Sequence, residues 1–405
     1  MIYSFQGGAD GSSPLSDMIL DSAGNLYGTA SAGGTGCGTG GCGIVFELKR
    51  TQDGWQEQVL YRFSGGSDGS APQAGLIFDA AGNLYGTTVF GGDGYESGTV
   101  FRLTPNSKGV WTHSFIYAFD FSGTSGTHPA ADLSFDDQGN LYGTTSQGAI
   151  NCSQFDGCGA VFELTPLRNG TWKESTLHQF SGPPDGAEPS SGLILDSTGN
   201  FYGITQFGGT GRCANNGYQG CGVLYKLTPD SHGGWTETVS YSFAFGGGFG
   251  IFPGGGGIFP SGELIVDKAG CLFAPSQAGG NGLGSVFQLK DSQKYGWQQE
   301  VLHRFFGYPL DGQSPMGRLV RTTNGDLFGV ASNDGANRSG VVFELKHSEG
   351  DKEQILHSFA GPPDGANPSA GLVRDSQGHL YGTTRYGGSA TACTGGCGTV
   401  YEVVP

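Results

Sequence analysis

Short apolar runs alternate with glycine-rich turns along the whole chain, and no stretch sustains the 3.6-residue period of an amphipathic helix. The segment from Leu76 shows the unit. Leu76-Ile77-Phe78-Asp79 reads as a first strand, and Ala80-Ala81-Gly82-Asn83 as a turn whose last two residues suit positive φ. Leu84 to Thr88 reads as a second strand, and a glycine-rich loop from Gly91 to Gly98 leads to a third, Thr99-Val100-Phe101-Arg102-Leu103. After a turn over Thr104 to Gly109 comes the longest strand, Trp111 to Phe119. In it Trp111, Phe115, Tyr117 and Phe119 alternate with smaller or polar residues. Four strands joined in sequence order make one blade of a β-propeller.

The unit recurs. The phrase Asn-Leu-Tyr-Gly-Thr-Thr, or a near copy, starts at Asn25, Asn83, Asn140, Asn200, Cys271, Asp326 and His379. Its aromatic residue falls at 27, 85, 142, 202, 273, 328 and 381, a spacing that marks a repeat architecture. The expected fold is all-β: one seven-bladed propeller over residues 1–405 with four-stranded antiparallel blades. The blades are placed at about 16–63, 74–119, 131–180, 191–243, 262–305, 317–359 and 370–405 plus 1–5. Met1 to Phe5 matches the end of a fourth strand, as in Val59-Leu60-Tyr61-Arg62-Phe63, whereas the chain stops on a third strand, Tyr401-Glu402-Val403. Residues 1–5 are therefore expected to complete the last blade and close the ring. They lack the Trp-led half of that strand, so further residues are expected upstream of Met1.

Aromatic residues recur at fixed places: Tyr27 and its equivalents on second strands, Phe46 and its equivalents on third strands. All five tryptophans open fourth strands. They are expected to pack between blades. The glycine after the second-strand aromatic (Gly28, Gly86, Gly143, Gly203, Gly329, Gly382) is expected to leave room for a ring of the neighbouring blade.

The pattern Gly-Leu-x-x-Asp-x-x-Gly-Asn-Leu-Tyr-Gly-Thr-Thr, then Gly-Gly, then Gly-x-Val-Phe-Glu-Leu, resembles the Gloeo/Verruco (GloVer) tandem repeat of exported bacterial proteins. It is more broadly similar to NHL and gluconolactonase-type propeller blades. The resemblance spans the chain; Cys271-Leu272-Phe273-Ala274-Pro275 and Asp326-Leu327-Phe328-Gly329-Val330 depart from it. It implies a surface or secreted location and carries no established activity. Gluconolactonase-like enzymes hold a divalent metal in the central pocket, but their ligand set has no position-by-position match here.

Composition and charge narrow the choices. The 78 glycines fit many tight turns. A net charge of −16 argues against a nucleic-acid partner and against anionic membrane surfaces. No apolar run reaches the roughly 20 residues of a spanning helix. No signal peptide precedes the first strand, so an export signal would lie upstream. Eight of nine cysteines form close pairs at one loop position: Cys37–Cys42, Cys152–Cys158, Cys213–Cys221 and Cys393–Cys397. They read as disulfides, with zinc the alternative, and imply an oxidising compartment: secreted, periplasmic or cell surface. Cys271 is left over, as a half-buried free thiol.

Propellers bind ligands where loops converge on the central channel. The residue before each first-strand run is expected there: Asp17, Gly75, Asp132, Gly192, Glu263, Arg318 and Gly371. Three acids, one arginine and three glycines suit a cation, an amine or a sugar, or else a solvated rim of turn residues. Second-strand ends add Thr29, Thr88, Thr145, Gln147, Gln206, Ser276, Gln277, Ser332, Asn333 and Arg385, which suit carbohydrate or ordinary strand ends. The expected ligand-binding set is Asp17, Asp132, Glu263, Arg318, Gln147, Gln206, Asn333 and Arg385. Catalytic candidates are Asp17, Asp132, Glu263, Arg318 and His128, the histidine whose loop reaches toward the mouth. His113, His178, His303 and His357 sit on fourth strands at the blade rim.

The recurring Asp-Gly-x-x-Pro element, at Asp10, Asp68, Asp185, Asp311 and Asp364, reads as a turn whose Asp accepts backbone N–H groups. It lacks the alternating ligands of a calcium loop. Asp21, Asp79, Asp136, Asp196, Asp267 and Asp375 begin the first turn and read as structural. No metal site is assigned, with a divalent cation such as calcium the one cofactor considered. The insertion Phe245 to Pro260, with two Gly-Ile-Phe-Pro copies, reads as a lid or partner patch, or as a loop folded onto the surface.

The sequence thus describes a monomeric extracellular recognition or scaffold propeller with a glycan or protein ligand at the channel mouth. The alternative is a lyase or hydrolase acting on polysaccharide or lactone, with an acidic, metal-dependent pocket and Arg318 holding a carboxylate; a purely structural surface unit is a third class. Peptide mapping without reduction is expected to recover the four local cysteine pairs as disulfides. Free thiols at Cys37, Cys42, Cys393 and Cys397 would overturn the oxidising-compartment reading.

Overall fold

The computed structural model describes residues 1–92, 96–120, 124–148, 152, 157–215, 218–244, 255–280, 283–292 and 294–405. Seven antiparallel sheets stand around a central channel, six of them built outward in chain order and the seventh completed by the N-terminal strand. In the second blade Ile77–Phe78, Leu84–Thr88, Thr99–Pro105 and Trp111–Ala118 pair in sequence. The seventh blade is closed as expected: Tyr3 and Ser4 pair with Val400 and Thr399. Ile2 N–H donates to Val400 O, and Phe5 N–H to Gly398 O.

A blade is too thin to bury its own faces, so the neighbouring blade covers them. Each fourth strand ends in a phenylalanine that meets the third-strand ring of the next blade edge-on. Phe63 meets Phe101 at 5.1 Å, Phe180 meets Tyr225 at 5.0 Å and Phe359 meets Tyr401 at 4.9 Å. Phe5 meets Phe46 at 5.1 Å and so seals the ring between the last and first blades. Each tryptophan packs on the second-strand tyrosine of the preceding blade, as Trp111 on Tyr27 and Trp55 on Tyr381.

The repeated phrase now has a job for every letter. Asp21 Oδ1 accepts the N–H groups of Ala23 and Asn25, and its Oδ2 accepts from the Asn25 side chain, which fixes the first turn. Tyr27 Oη donates to Glu47 at 2.7 Å across the blade. Thr29 and Thr144 donate to main-chain carbonyls of the following blade, Ala74 O and Ser191 O. Thr29, Thr88 and Thr145 are buried, so these hydroxyls serve the blades and not a ligand.

The glycine has a different role from the one expected. A Cβ on Gly143 would lie 2.5 Å from Phe162 Cζ, and one on Gly86 2.7 Å from Phe101 Cζ. Those rings belong to the same blade, on the residue directly across the ladder, as in the pairs Gly143↔Phe162 and Gly86↔Phe101. The third-strand ring lies down over its own cross-strand partner, and the neighbour's phenylalanine then packs on it.

The second Gly-Ile-Phe-Pro copy lies in the strand Gly255–Pro260, which pairs with Leu272–Gly280. Ile258 is buried, and Phe259 packs 5.4 Å from Phe207, so this part of the insertion is built into the sheet. Residues 245–254, with the first copy, lie outside the described residues. Among the described residues no helix is long and apolar enough to cross a membrane.

Gly143→Ala is expected to destabilise the protein by roughly 1–3 kcal/mol, because the added methyl overpacks against Phe162. Guanidinium unfolding of wild type and variant reads this; an unchanged midpoint would show that the ring has room to move.

Candidate functional site

Where a first strand passes the channel mouth, its ladder breaks. In the fourth blade the pairing stops at Pro189↔Thr205 and resumes at Ile194↔Tyr202, with Gly192 in the gap. In the fifth it stops at Pro260↔Ser276 and resumes at Ile265↔Phe273, with Glu263 between. In the sixth the register shifts between Met316 and Val320, around Arg318. A backbone N–H in such a gap has lost its ladder partner and needs another acceptor.

The acids supply it. Gly75 N–H donates to Asp132 Oδ1 at 2.6 Å, Gly192 N–H to Glu263 Oε2 at 2.7 Å and Gly371 N–H to Asp17 Oδ1 at 2.5 Å. In each case the carboxylate of one blade caps the glycine of the blade before it. Glycine is needed because a Cβ on Gly75 would lie 2.7 Å from the capping oxygen of Asp132. Acid and glycine therefore alternate around the channel. Seven positions cannot alternate evenly, and the odd one, in blade six, is Arg318. Its Nη2 donates to Asp132 Oδ2 at 2.6 Å, and its Nε lies 3.8 Å from Asp17 Oδ2.

The four charged residues expected at the mouth thus meet at one place. They divide the channel. Above them is a cavity of about 510 Å³, lined among others by Asp17, Asp132, Glu263, Ser190, Met316, Ser332, Asn333, Asn367, Ser369, Arg385 and Tyr386. Below is one of about 490 Å³, lined by Asp17, Arg318, Arg321, Arg374, Asp375 and first-strand side chains. Asp17 borders both, so the cluster is the floor of one cavity and the roof of the other.

Burial governs the electrostatics. Desolvation, opposed by Arg318 and reinforced by Asp17, pushes the Asp132 carboxyl up to about 6. Desolvation and then the Asp132 carboxylate push Glu263 up to about 8, with Arg318 opposing. Arg318 is held firmly charged by Asp132 and Asp17 against the cost of its own burial; the lumen still leaves 38% of its side chain exposed. Asp17 Oδ2 is buried and takes no hydrogen bond.

Of the other expected residues, Asn333 and Arg385 line the upper cavity. Asn333 Oδ1 accepts from Asn367 Nδ2 at 3.0 Å, and the Arg385 guanidinium lies 5.1 Å from the Tyr386 ring. Gln206 borders a smaller recess of about 160 Å³ that shares Ala130 and Ser190 with the mouth. Gln147 is tied into a bridge with Thr127 and is not among the lining residues. His128 is also not among them; it holds a positive φ, with Nδ1 2.9 Å from Thr127 Oγ1 and its ring edge-on to Phe90.

Met316, Asn367, Ser369 and Tyr386 were missed. Sequence alone offered only one signal for them, their position just before a first strand or just after a second. The four cysteine pairs are disulfides with Cα separations of 5.1–5.5 Å, and Cys271 is a buried free thiol. The Asp-Gly-x-x-Pro carboxylates accept backbone N–H groups, as Asp68 from Ser64 and Asp364 from Ala360.

A carboxyl whose pKa is higher in the folded than in the unfolded chain stabilises the fold while protonated. For Glu263 that contribution is complete below its ordinary value of 4.5 and is lost as pH rises through about 8. Glu263→Gln is therefore expected to gain stability over wild type between about pH 5 and pH 9, by about 1.4 kcal/mol for each tenfold displacement in proton affinity. Parallel unfolding curves at both pH values, with an unchanged difference, would refute this.

No curated protein sequence matches the chain. Among solved structures, that of a luciferin-regenerating enzyme is similar at 13% identity with a TM-score of 0.42, over 82% of this chain and 90% of the other. A family model, described as the Gloeobacter/Verrucomicrobia repeat, matches residues 1–210 and again 153–401. With the repeated phrase, the seven blades and a match over nearly every residue in agreement, the chain belongs to the Gloeobacter/Verrucomicrobia repeat family.

Proposed function

We propose that the protein is an extracellular recognition propeller that binds a glycan at the upper mouth of its channel. The observation that carries this reading is the cavity of about 510 Å³, whose wall offers amides and hydroxyls from Asn333, Asn367, Ser332 and Ser190 above a charged floor. Its size falls in the small-ligand range of about 300–1,000 Å³. Amide and hydroxyl groups match sugar hydroxyls in both donor and acceptor roles, and the Tyr386 ring, backed by Arg385, offers a face for a pyranose. The floor favours neutral or cationic groups over carboxylates, because Arg318 is already taken by Asp132 and Asp17. Four disulfides support an oxidising location such as the cell surface or the periplasm.

A second reading is favoured by one observation. Glu263, held protonated to about pH 8 at the base of a cavity beside the Asp132 carboxyl, has the character of a general acid. On this reading the protein cleaves a glycosidic or lactone bond, with Glu263 as proton donor and Asp17 or Asp132 as the partner carboxylate. A divalent cation such as calcium would bind at the same acids.

A glycan array probed with and without calcium, followed by product analysis of each hit, tests both. Binding weakened tenfold or more by Asn333→Ala combined with Arg385→Ala, with the glycan recovered intact, is the expected result; tenfold corresponds to about 1.4 kcal/mol. Recovery of shortened or opened product that disappears in Glu263→Gln would favour the second reading. Hits unaffected by the double variant would place recognition elsewhere.

A further inference from the structure

Two interfaces between neighbouring blades carry the same side-chain cluster, well away from the channel. Between blades three and four, His178, Asp185 and Glu237 turn one ligand atom each toward a common point. Between blades five and six, His303, Asp311 and Glu353 do the same, and in each cluster the three atoms lie within 4.8 Å of one another. The geometry points to a divalent-cation site at each, suited to zinc, in which the metal joins the outer strands of adjacent blades.

Repeat position shows why these two interfaces differ from the others. The fourth strand of every blade carries an aromatic residue two places before its closing phenylalanine: Tyr3, Tyr61, Tyr117, His178, Tyr241, His303 and His357. Where it is tyrosine and an Asp-Gly-x-x-Pro aspartate follows, the phenol donates to that aspartate, as Tyr61 does to Asp68 at 2.9 Å. Such a pair is complete. Histidine replaces the phenol with an imidazole nitrogen, a metal ligand in its neutral form. At His178 and His303 the next blade also supplies a glutamate, Glu237 or Glu353. At His357 the aspartate is present, with Nε2 3.0 Å from Asp364 Oδ2, but among the described residues no third ligand joins it.

The distances suit a small ion. His178 Nε2 is 3.2 Å from Asp185 Oδ2; His303 Nε2 is 3.2 Å from Asp311 Oδ2 and 3.6 Å from Glu353 Oε1. Ligands about 2.0–2.1 Å from a tetrahedral zinc stand about 3.3 Å apart. The aspartates are already oriented. Asp311 Oδ1 accepts the N–H groups of Phe306 and Gly307, both at 2.7 Å, which leaves Oδ2 facing the imidazole. Asp185 is held differently: Oδ1 accepts the Gly186 N–H at 2.7 Å, and Oδ2 accepts the N–H and hydroxyl of Ser181 while facing the imidazole.

The glutamates lack what a metal would provide. Glu237 Oε1 and Glu353 Oε1 each expose less than 1 Å² and take no hydrogen bond. Two carboxylates and a dication are neutral together, and one His with two carboxylates leaves the fourth zinc position to water. Calcium is a poor match, since it takes 6–8 oxygens and these clusters present two carboxylates and a nitrogen.

The test uses tag-free, chelator-treated full chain. Zinc uptake is measured by equilibrium dialysis with elemental analysis, and thermal melting is followed with and without zinc. Two zinc ions per chain are expected for wild type, one for His178→Tyr or His303→Tyr, and none for the double variant. The tyrosine variants restore the arrangement of the other blades, so their zinc-free melting should match that of wild type. A zinc-dependent rise in Tm should appear in wild type and vanish in the double variant. Glu237→Gln and Glu353→Gln should each weaken uptake at their own interface by tenfold or more. No zinc uptake by wild type, uptake unchanged in the folded double variant, or calcium taken up in place of zinc would each overturn the assignment.

Discussion

The structure depends on one interaction, the cover that each blade gives the next. A four-stranded blade has two faces and no interior, so its apolar side chains are out of water only while both neighbours are in place. The closing phenylalanine of each fourth strand, laid edge-on against the third-strand ring of the following blade, repeats at all seven interfaces, including the one that Phe5 makes with Phe46. The packing is cooperative around a circle. This is why the same letters recur at the same places, and why their constancy reports architecture and not chemistry.

Chemistry enters where the repeat cannot satisfy itself. The broken ladders at the channel leave main-chain N–H groups without acceptors, and carboxylates answer them in alternate blades. The first duty of these acids is to the fold. What remains after that duty, a buried Asp17 oxygen without a hydrogen bond, a protonated Glu263 and an arginine shared between two carboxylates, is a polarised floor that an uncharged side-chain ring would not give. The outer interfaces show the same logic. A tyrosine hydroxyl closes its aspartate pair, whereas histidine at 178 and 303 leaves an unfinished set.

The fold was legible because periodicity is a property of the string. Seven spaced aromatics and a terminal pair of half-matching strands were enough to specify the ring and its closure. The convergence of Asp17, Asp132, Glu263 and Arg318 was also legible, since equivalent positions of a repeat must share one radius. Their hydrogen-bond partners were not, because the glycine each one caps lies in another blade. Gly143 was misassigned for a related reason. The ring above it could come from the next blade or from the strand across, and only the register Gly143↔Phe162 decides. Asn367 and Tyr386 hold recurring positions whose residue type varies from blade to blade, Asn367 within an Asp-Gly-x-x-Pro element and Tyr386 two residues after the repeated Thr, so nothing in the spacing separates wall from rim. His178 and His303 were legible only as rim residues of fourth strands, because their meaning needs Glu237 and Glu353, which lie on the following blade.

The closing strand also imposes an order of events. Residues 2–5 are synthesised well before their partners at 398–400, with almost the whole described sequence between them. At about 5–20 residues per second, that wait is roughly 20–80 s. Throughout it, one end of the chain is an unpaired edge, and the growing stack of blades presents another. Six blades can assemble without the N-terminal segment, but the hydrophobic face of the first blade stays open until Phe5 arrives. Closing the ring is thus a loop closure that spans almost the whole sequence, from Tyr3 to Val400. Any partner that occupied residues 1–5 in the meantime would hold the ring open.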